Sequence, residues 1–211
     1  MRRLLVLALV LVAPAAYGEA PPEEDPSPAP GPVPQGNASL VVGGAAAGPG
    51  ERLWDHGEFH LGLRGDCIFL RESAHDFGLG PYGEIGTWAF NQLQLGAGAS
   101  VLLPIHRDLP LVVSAGGHLR LADDDLGVVA PGVGGAIFWG FRGFDRRARY
   151  ALSGGLIVDL RHSFATDPAQ GPGETMLTVA AQIDATLIAV PFVLLGGLIA
   201  GPTGEARAVE R

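Results

Sequence analysis

Between Leu109 and Leu121 the chain alternates with a period of two residues. Leu109, Leu111, Val113, Ala115, Gly117, Leu119 and Leu121 take the odd positions, and Ser114, Gly116, His118 and Arg120 fall among the even ones. Successive side chains of an extended strand point to opposite faces, so this order places apolar groups on one side and polar or small groups on the other. The rhythm recurs from about Phe59 to about Val190, with no helix-period run in between. A chain patterned this way is constrained to an all-β body.

Eight strands are expected, within a range of seven to nine. The first, about Ala38 to Ala46, is weak, because Gly and Ala give little contrast between faces. The second, about Gly57 to Arg71, sets Phe59, Leu61, Leu63, Cys67 and Phe69 against His60, Arg64 and Asp66. The third, about Phe77 to Phe90, sets Phe77, Leu79 and Ile85 against Tyr82, Glu84 and Trp88. The fourth runs from Leu93 to Leu103, and the fifth is the segment described above. The sixth, about Gly127 to Phe141, carries Val129, Val133, Ile137, Trp139 and Phe141 on one face. The seventh, about Arg149 to Ser163, reverses parity, with Leu156, Val158 and Leu160 opposite Ser153, Asp159 and Arg161. The eighth starts near Thr175 and sets Leu177, Val179, Ile183 and Leu187 against Thr178, Gln182, Asp184 and Thr186. The breaks carry turn chemistry, as at Gly48-Pro49-Gly50, Asn91-Gln92 and Asp123-Asp124-Asp125. Regular strands joined by short turns pair as antiparallel neighbours, which predicts an up-and-down meander closed into a β-barrel.

The ends have a different composition. Arg2 and Arg3, the apolar run Leu4 to Val12 and Ala16-Tyr17-Gly18 read as a signal peptide over 1–18. Residues 19–36 begin Glu19-Ala-Pro-Pro-Glu-Glu-Asp and read as a Pro-rich disordered tether with no apolar face to bury. The barrel is expected over 37–200 and a disordered tail over 201–211. Within the barrel span, the apolar run Ile188 to Ala200 fits either an extension of the last strand, with Pro191 at a bulge, or a short helix.

Alternation does not itself say which face is inside. Three observations put the apolar face in lipid. The polar faces are rich in Gly, Ala and Ser, which suit a cramped lumen filled by side chains. They also carry both signs of charge, namely Arg64, Asp66, Glu84, Arg120, Asp159, Arg161 and Asp184, a set suited to pairing as a polar network across a lumen. Finally, the strands exceed the usual globular length and suffice for a tilted crossing of about 9–11 residues. Aromatic residues are few, and those near strand ends (Trp54, Phe59, Phe77, Phe90, Phe138, Trp139, Phe141, Tyr150, Phe164) make partial belts.

An export signal, a Pro-rich tether and Gly-rich alternating strands together resemble the small outer-membrane β-barrel proteins of Gram-negative bacteria. Gly80-Pro-Tyr-Gly-Glu-Ile-Gly-Thr-Trp-Ala-Phe and Ala136-Ile-Phe-Trp-Gly-Phe-Arg are similar to strands of uncharacterised members. The resemblance covers about residues 38 to 190 and is one of pattern and composition. It implies residence in the outer membrane, with membrane lipid as the surrounding partner. Such proteins commonly end on an aromatic residue, whereas this chain ends Ala208-Val-Glu-Arg.

Chemical motifs are sparse. His56-Gly57-Glu58-Phe59-His60 lacks the Glu directly after the first His that a zinc-protease helix requires. Ser114, His118, Asp159 and His162 offer the residue types of a hydrolytic triad without a nucleophile elbow. Gly132, Gly134 and Gly135 are not followed by the Lys-Ser/Thr of a phosphate loop, and Asp123-Asp124-Asp125 lacks spaced calcium ligands. The lone Cys67 lies on the apolar parity and reads as an inert thiol. A net charge of −8 argues against nucleic-acid binding. All 14 basic residues are Arg, and three lie in the turn Asp145-Arg146-Arg147-Ala148-Arg149, suited to phosphate groups of lipid on either side of a membrane.

The expectation is therefore a non-enzymatic outer-membrane barrel without cofactor or metal. Its role would be structural or a minor solute- or lipid-related one, and large-pore conduction is not expected. The alternatives are a soluble periplasmic barrel with an apolar ligand pocket and a lipid-modifying outer-membrane enzyme.

Overall fold

The computed structural model describes residues 31–49, 54–122, 129–165 and 173–191. The expected signal peptide, most of the tether, Asp123-Asp124-Asp125 and the tail 201–211 lie outside the described residues. The described chain forms eight strands: β1 (Gln35–Pro49), β2 (His56–Ile68), β3 (Gly78–Trp88), β4 (Gln92–Leu103), β5 (Leu111–Ala122), β6 (Val129–Arg142), β7 (Ser153–Ser163) and β8 (Glu174–Asp184). Each strand pairs antiparallel with the next, and β1 pairs with β8, giving a closed barrel in sequence order. Closure leaves no free sheet edge. No helix among the described residues is long and apolar enough to cross a membrane.

Several strand bounds differ from the alternation by two or three residues, and β4 already includes Gln92, so the turn expected at Asn91-Gln92 lies at 89–91; three of the differences have a clear local reason. β1 opens at Gln35 rather than Ala38, because Gln35, Asn37 and Ser39 face inward and are buried there. A polar start of this kind reads as linker in the sequence. β7 opens at Ser153 rather than Arg149, because 149–151 pair beside Gly36 instead: Gly36 N–H donates to Arg149 O at 2.8 Å and Ala151 N–H to Gly36 O at 2.9 Å. β8 stops at Asp184, so Thr186 and Leu187 are not strand, and residues 185–191 form a short helix, α1. The Asp184 carboxylate caps it, accepting from the Thr186 N–H at 2.9 Å and from the Thr186 hydroxyl at 2.5 Å. Of the two readings of the apolar end, the helix holds as far as Pro191, and 192–200 lie outside the described residues.

The two faces divide cleanly. Outward strand positions carry Phe59, Leu63, Leu79, Ile85, Leu95, Val113, Leu119, Val133, Ile137, Trp139, Leu156, Leu160 and Val179, all exposed. No outward strand position holds Asp, Glu or Arg, and the polar exceptions are Cys67, Thr87, His162 and Thr175. The soluble barrel with an apolar interior reverses this arrangement. Exposed aromatics gather at both barrel ends, Trp54, Phe59, Phe90 and Phe164 at one, and Phe69, Phe77, Phe141 and Tyr150 at the other.

Inside, large polar side chains share with glycine the rows that run across paired strands. One row reads Arg64, Glu84, Gly96, His118, Gly132, Ser163, and the next Asp66, Tyr82, Gly98, Gly116, Gly134, Arg161. The glycines are slots. A Cβ on Gly116 would stand 2.7 Å from the Tyr82 hydroxyl, and one on Gly98 would stand 2.8 Å from its ring. A narrow barrel has room for one large residue only where its neighbours are small.

Candidate functional site

The chemistry of the described residues is concentrated in the interior, in three layers. At mid-height Arg64 Nη1 donates to Glu84 Oε2 at 2.9 Å, and Arg161 Nη2 lies 2.9 Å from Glu84 Oε1. Arg161 also pairs with Asp159, its Nε donating to Oδ2 at 2.5 Å. The Arg64 guanidinium stacks 4.0 Å from the Tyr82 ring centroid. Two cations and two carboxylates thus neutralise one another at the centre, with Glu84 and Arg161 each bridging two partners. Bridged charge of this kind tolerates burial only as a complete set.

The second layer closes the end that carries the start of β1 and the end of β8. Arg142 grips Asp66 with both terminal nitrogens, at 2.9 and 2.5 Å, and the two side chains are 1% and 5% exposed. Arg71, in the turn after β2, is also buried; it donates to Gln35 Oε1 at 3.3 Å and its guanidinium lies 4.7 Å from the Phe144 ring centroid. Burial, and after it the charge of Arg142, lower the Arg71 guanidinium to about 10, still cationic at neutral pH. Gln35 Nε2 donates to Asp145 O at 2.8 Å, drawing the β6–β7 turn across the mouth. Asp184 accepts from Asn37 at 2.9 Å, from the Tyr150 hydroxyl at 2.9 Å and from the Ser153 N–H at 3.0 Å.

The opposite end is looser. Arg120 pairs with Glu174, and His56 lies 3.4 Å from Glu174 and 3.5 Å from Glu58. Arg120 and Glu174 are 16% and 19% exposed. Below them His60 stacks 4.8 Å from Trp88, and His118 Nε2 lies 3.1 Å from Ser163 Oγ. The nearby buried atoms His60 Nδ1, His118 Nδ1, Trp88 Nε1, Gln94 Nε2 and Thr178 Oγ1 have no protein partner among the described residues. Groups of this kind are normally satisfied by internal water. Interior cavities of about 20 and 10 Å³ adjoin the central charges, space for single water molecules.

The seven charges singled out by parity therefore have distinct positions. Arg64, Glu84, Asp159 and Arg161 share the centre, Asp66 belongs to the closed end, Arg120 to the open end, and Asp184 is a hydrogen-bond hub and helix cap without a cation among the described residues. Parity overlooked Arg142, Arg71, Gln35 and Asn37. The inward-facing end of the sixth strand was the available signal for Arg142. The hydrolytic residue types do not assemble: Ser114 pairs with Ser100 at 2.8 Å, Asp159 with Arg161, and His162 with Thr175 at 2.9 Å. His56 to His60 is strand rather than helix, and only His60 of the two histidines is buried. Among the described residues no group of three metal-ligating side chains gathers.

No family model matches the chain, and no curated protein matches it. Solved structures that resemble it include membrane β-barrels. A de novo designed transmembrane β-barrel aligns with a TM-score of 0.37 at 12% identity, over 72% of this chain and 97% of that one. Ail of Yersinia pestis, in complex with the heparin analogue sucrose octasulfate, aligns at 0.34 and 12% identity, over 71% and 99%. Ail in a phospholipid bilayer nanodisc aligns at 0.32 and 11% identity, over 71% and 100%. Likeness at this level does not bear on what this chain binds.

Proposed function

We propose that this chain is a small outer-membrane β-barrel that spans the bilayer as a sealed scaffold, without enzymatic activity and without a diffusion pore. The observation that carries the reading is the division of faces: outward strand positions hold no Asp, Glu or Arg, while the inward ones hold a paired charge network. In water that arrangement would expose a continuous apolar belt, and in lipid it exposes none to solvent. Aromatic residues at both ends support the same placement, since their amphipathic rings favour the headgroup level.

The sealing follows from the interior. Eight strands enclose a lumen that side chains fill, and here Arg64, Glu84, Tyr82 and Arg161 cross it while Arg142, Asp66 and Arg71 close one end. The role left to such a body is to hold its end loops at the two membrane surfaces.

The test is fractionation of cells expressing the chain, combined with gel mobility before and after heating and bilayer conductance of the purified protein. Carbonate-resistant protein in the outer-membrane fraction, a heat-dependent mobility shift and no porin-sized conductance are expected. Recovery in the soluble periplasmic fraction would overturn the membrane reading, and steady porin-sized currents would overturn the sealing.

A further inference from the structure

The turn between β6 and β7 places Arg146, Arg147 and Arg149 within four residues of sequence, all exposed. Among the described residues none of the three has a carboxylate partner, whereas exposed Arg107 in the β4–β5 turn lies 3.9 Å from Asp108. Two acids of the same barrel end accept backbone N–H groups. Asp145 accepts from the Arg147 N–H at 2.8 Å, and Asp76 accepts from the Glu72 and Ser73 N–H groups at 2.9 and 2.6 Å.

The turn is not a loose excursion. Its backbone is stitched to the start of β1 through Gly36 N–H to Arg149 O and Ala151 N–H to Gly36 O, and through Gln35 to Asp145 O. The Tyr150 hydroxyl adds a bond to Ala38 O at 3.1 Å. The arginines are thus held at a fixed height, directly beyond the outward apolar residues Phe141, Tyr150 and Leu152. In a bilayer that height is where apolar chains give way to phosphodiesters. A guanidinium offers a planar fork of donors that matches a phosphate oxygen pair, and it is weakly hydrated compared with an ammonium.

We infer that the 145–149 turn is a docking surface for anionic phospholipid, Arg146, Arg147 and Arg149 binding headgroup phosphates of the leaflet on the side where the chain's strand-bearing region begins and ends. The inference rests on the membrane reading above and assigns the surface to phospholipid rather than lipopolysaccharide. An even strand number keeps the start of β1 and the end of β8 on one side. Turning that side outward would require the acidic, Pro-rich segment 19–34 to cross the membrane as well.

The experiment uses the full-length barrel folded in zwitterionic micelles, with bound lipid counted by native mass spectrometry. Phosphatidylglycerol, phosphatidylcholine, lipopolysaccharide and inorganic phosphate are offered separately and in competition. Wild type is compared with Arg146→Gln/Arg147→Gln/Arg149→Gln and with Arg107→Gln. Each cationic side chain near an anionic surface strengthens attachment by roughly five-fold, so the triple variant should lose on the order of a hundredfold in phosphatidylglycerol retention. Arg107→Gln should change it little.

The turn is held by backbone atoms and by Gln35 and Tyr150, so the triple variant should keep its heat-dependent mobility, read on the same samples. A folded wild-type barrel with no preference for phosphatidylglycerol over phosphatidylcholine would overturn the inference alone. So would an unchanged preference in the triple variant, competition by inorganic phosphate at equal concentration, or stronger retention of lipopolysaccharide. A chain that never enters micelles in a heat-shifted form would overturn the membrane reading, and this inference with it.

Discussion

The two ends of the barrel use the same kind of bond to different effect. At the end where β1 starts, Arg142 holds Asp66 with two contacts in a layer that Arg71, Gln35 and the β6–β7 turn close off. At the other end Arg120 and Glu174 meet in a setting where both keep some solvent, and His56 sits at the edge of the pair. The buried bond ties β2 to β6, and breaking it strands a charge. The solvated bond can break without stranding either partner. One end is therefore a plug and the other a rim.

The sharpest way to break this comparison is Arg142→Ala. It leaves Asp66 buried without its cation and should lower stability by about 3–5 kcal/mol, measured as a drop in urea midpoint in detergent micelles. A loss below about 1 kcal/mol would mean that Arg71, already close enough for Arg142 to depress its pKa, moves onto Asp66 and restores the layer.

Asp184→Ala should come next, at about 2–3 kcal/mol. It removes the acceptor shared by Asn37, Tyr150 and the Ser153 N–H, and with it the cap of α1. Far-ultraviolet dichroism together with the urea midpoint separates loss of the cap from loss of the barrel. If the midpoint holds while only helical signal falls, the bonds that Asp184 accepts from Asn37, Tyr150 and Ser153 do not stabilise the barrel.

A change at the rim should act in the opposite direction. The β3–β4 turn places Ala89 and Phe90 at φ 47° and 62°, and the Asn91 N–H donates to Trp88 O at 3.1 Å. Two consecutive left-handed residues make the hairpin geometry that Asn-Gly normally supplies, and L side chains resist it. Ala89→Gly should therefore raise stability by about 1 kcal/mol, less the chain entropy that glycine adds to the unfolded state. A lower urea midpoint would show that the turn is less strained than its angles imply.

These sites also mark how far the sequence could be read. The strand period is two, so each strand's inward set follows from parity, and short turns dictate the meander order. The barrel was read from the regular run of alternating strands joined by short turns. β1 was faint because Gly43, Gly44, Ala45 and Ala46 present nearly equal faces. Its polar start at Gln35 fell in the expected tether and Asn37 ahead of the expected strand, although both are buried and bonded at the closed end. The pairings were illegible for a different reason. Asp66 meets Arg142 across 76 residues, and His118 meets Ser163 over Gly132; both contacts depend on strand stagger and on which neighbour is small enough to be crossed. Periodicity specifies a face but carries no information about height along the barrel axis. The positive φ of Ala89 and Phe90 was hidden as well, because neither residue is one that turn chemistry favours there.

The smallest effect expected is at Arg120. Its partner Glu174 retains solvent and has His56 beside it, so Arg120→Ala should cost about 0–1 kcal/mol and less as salt is raised. Urea titrations of wild type and variant at low and high salt check both parts. The contrast with Arg142→Ala is the point of the measurement: each substitution removes an Arg–carboxylate bond, one two-pronged and buried, the other single and partly solvated. If Arg120→Ala were to cost as much as Arg142→Ala, the Arg120–Glu174 bond would behave as a buried one, and the barrel would have a plug at each end.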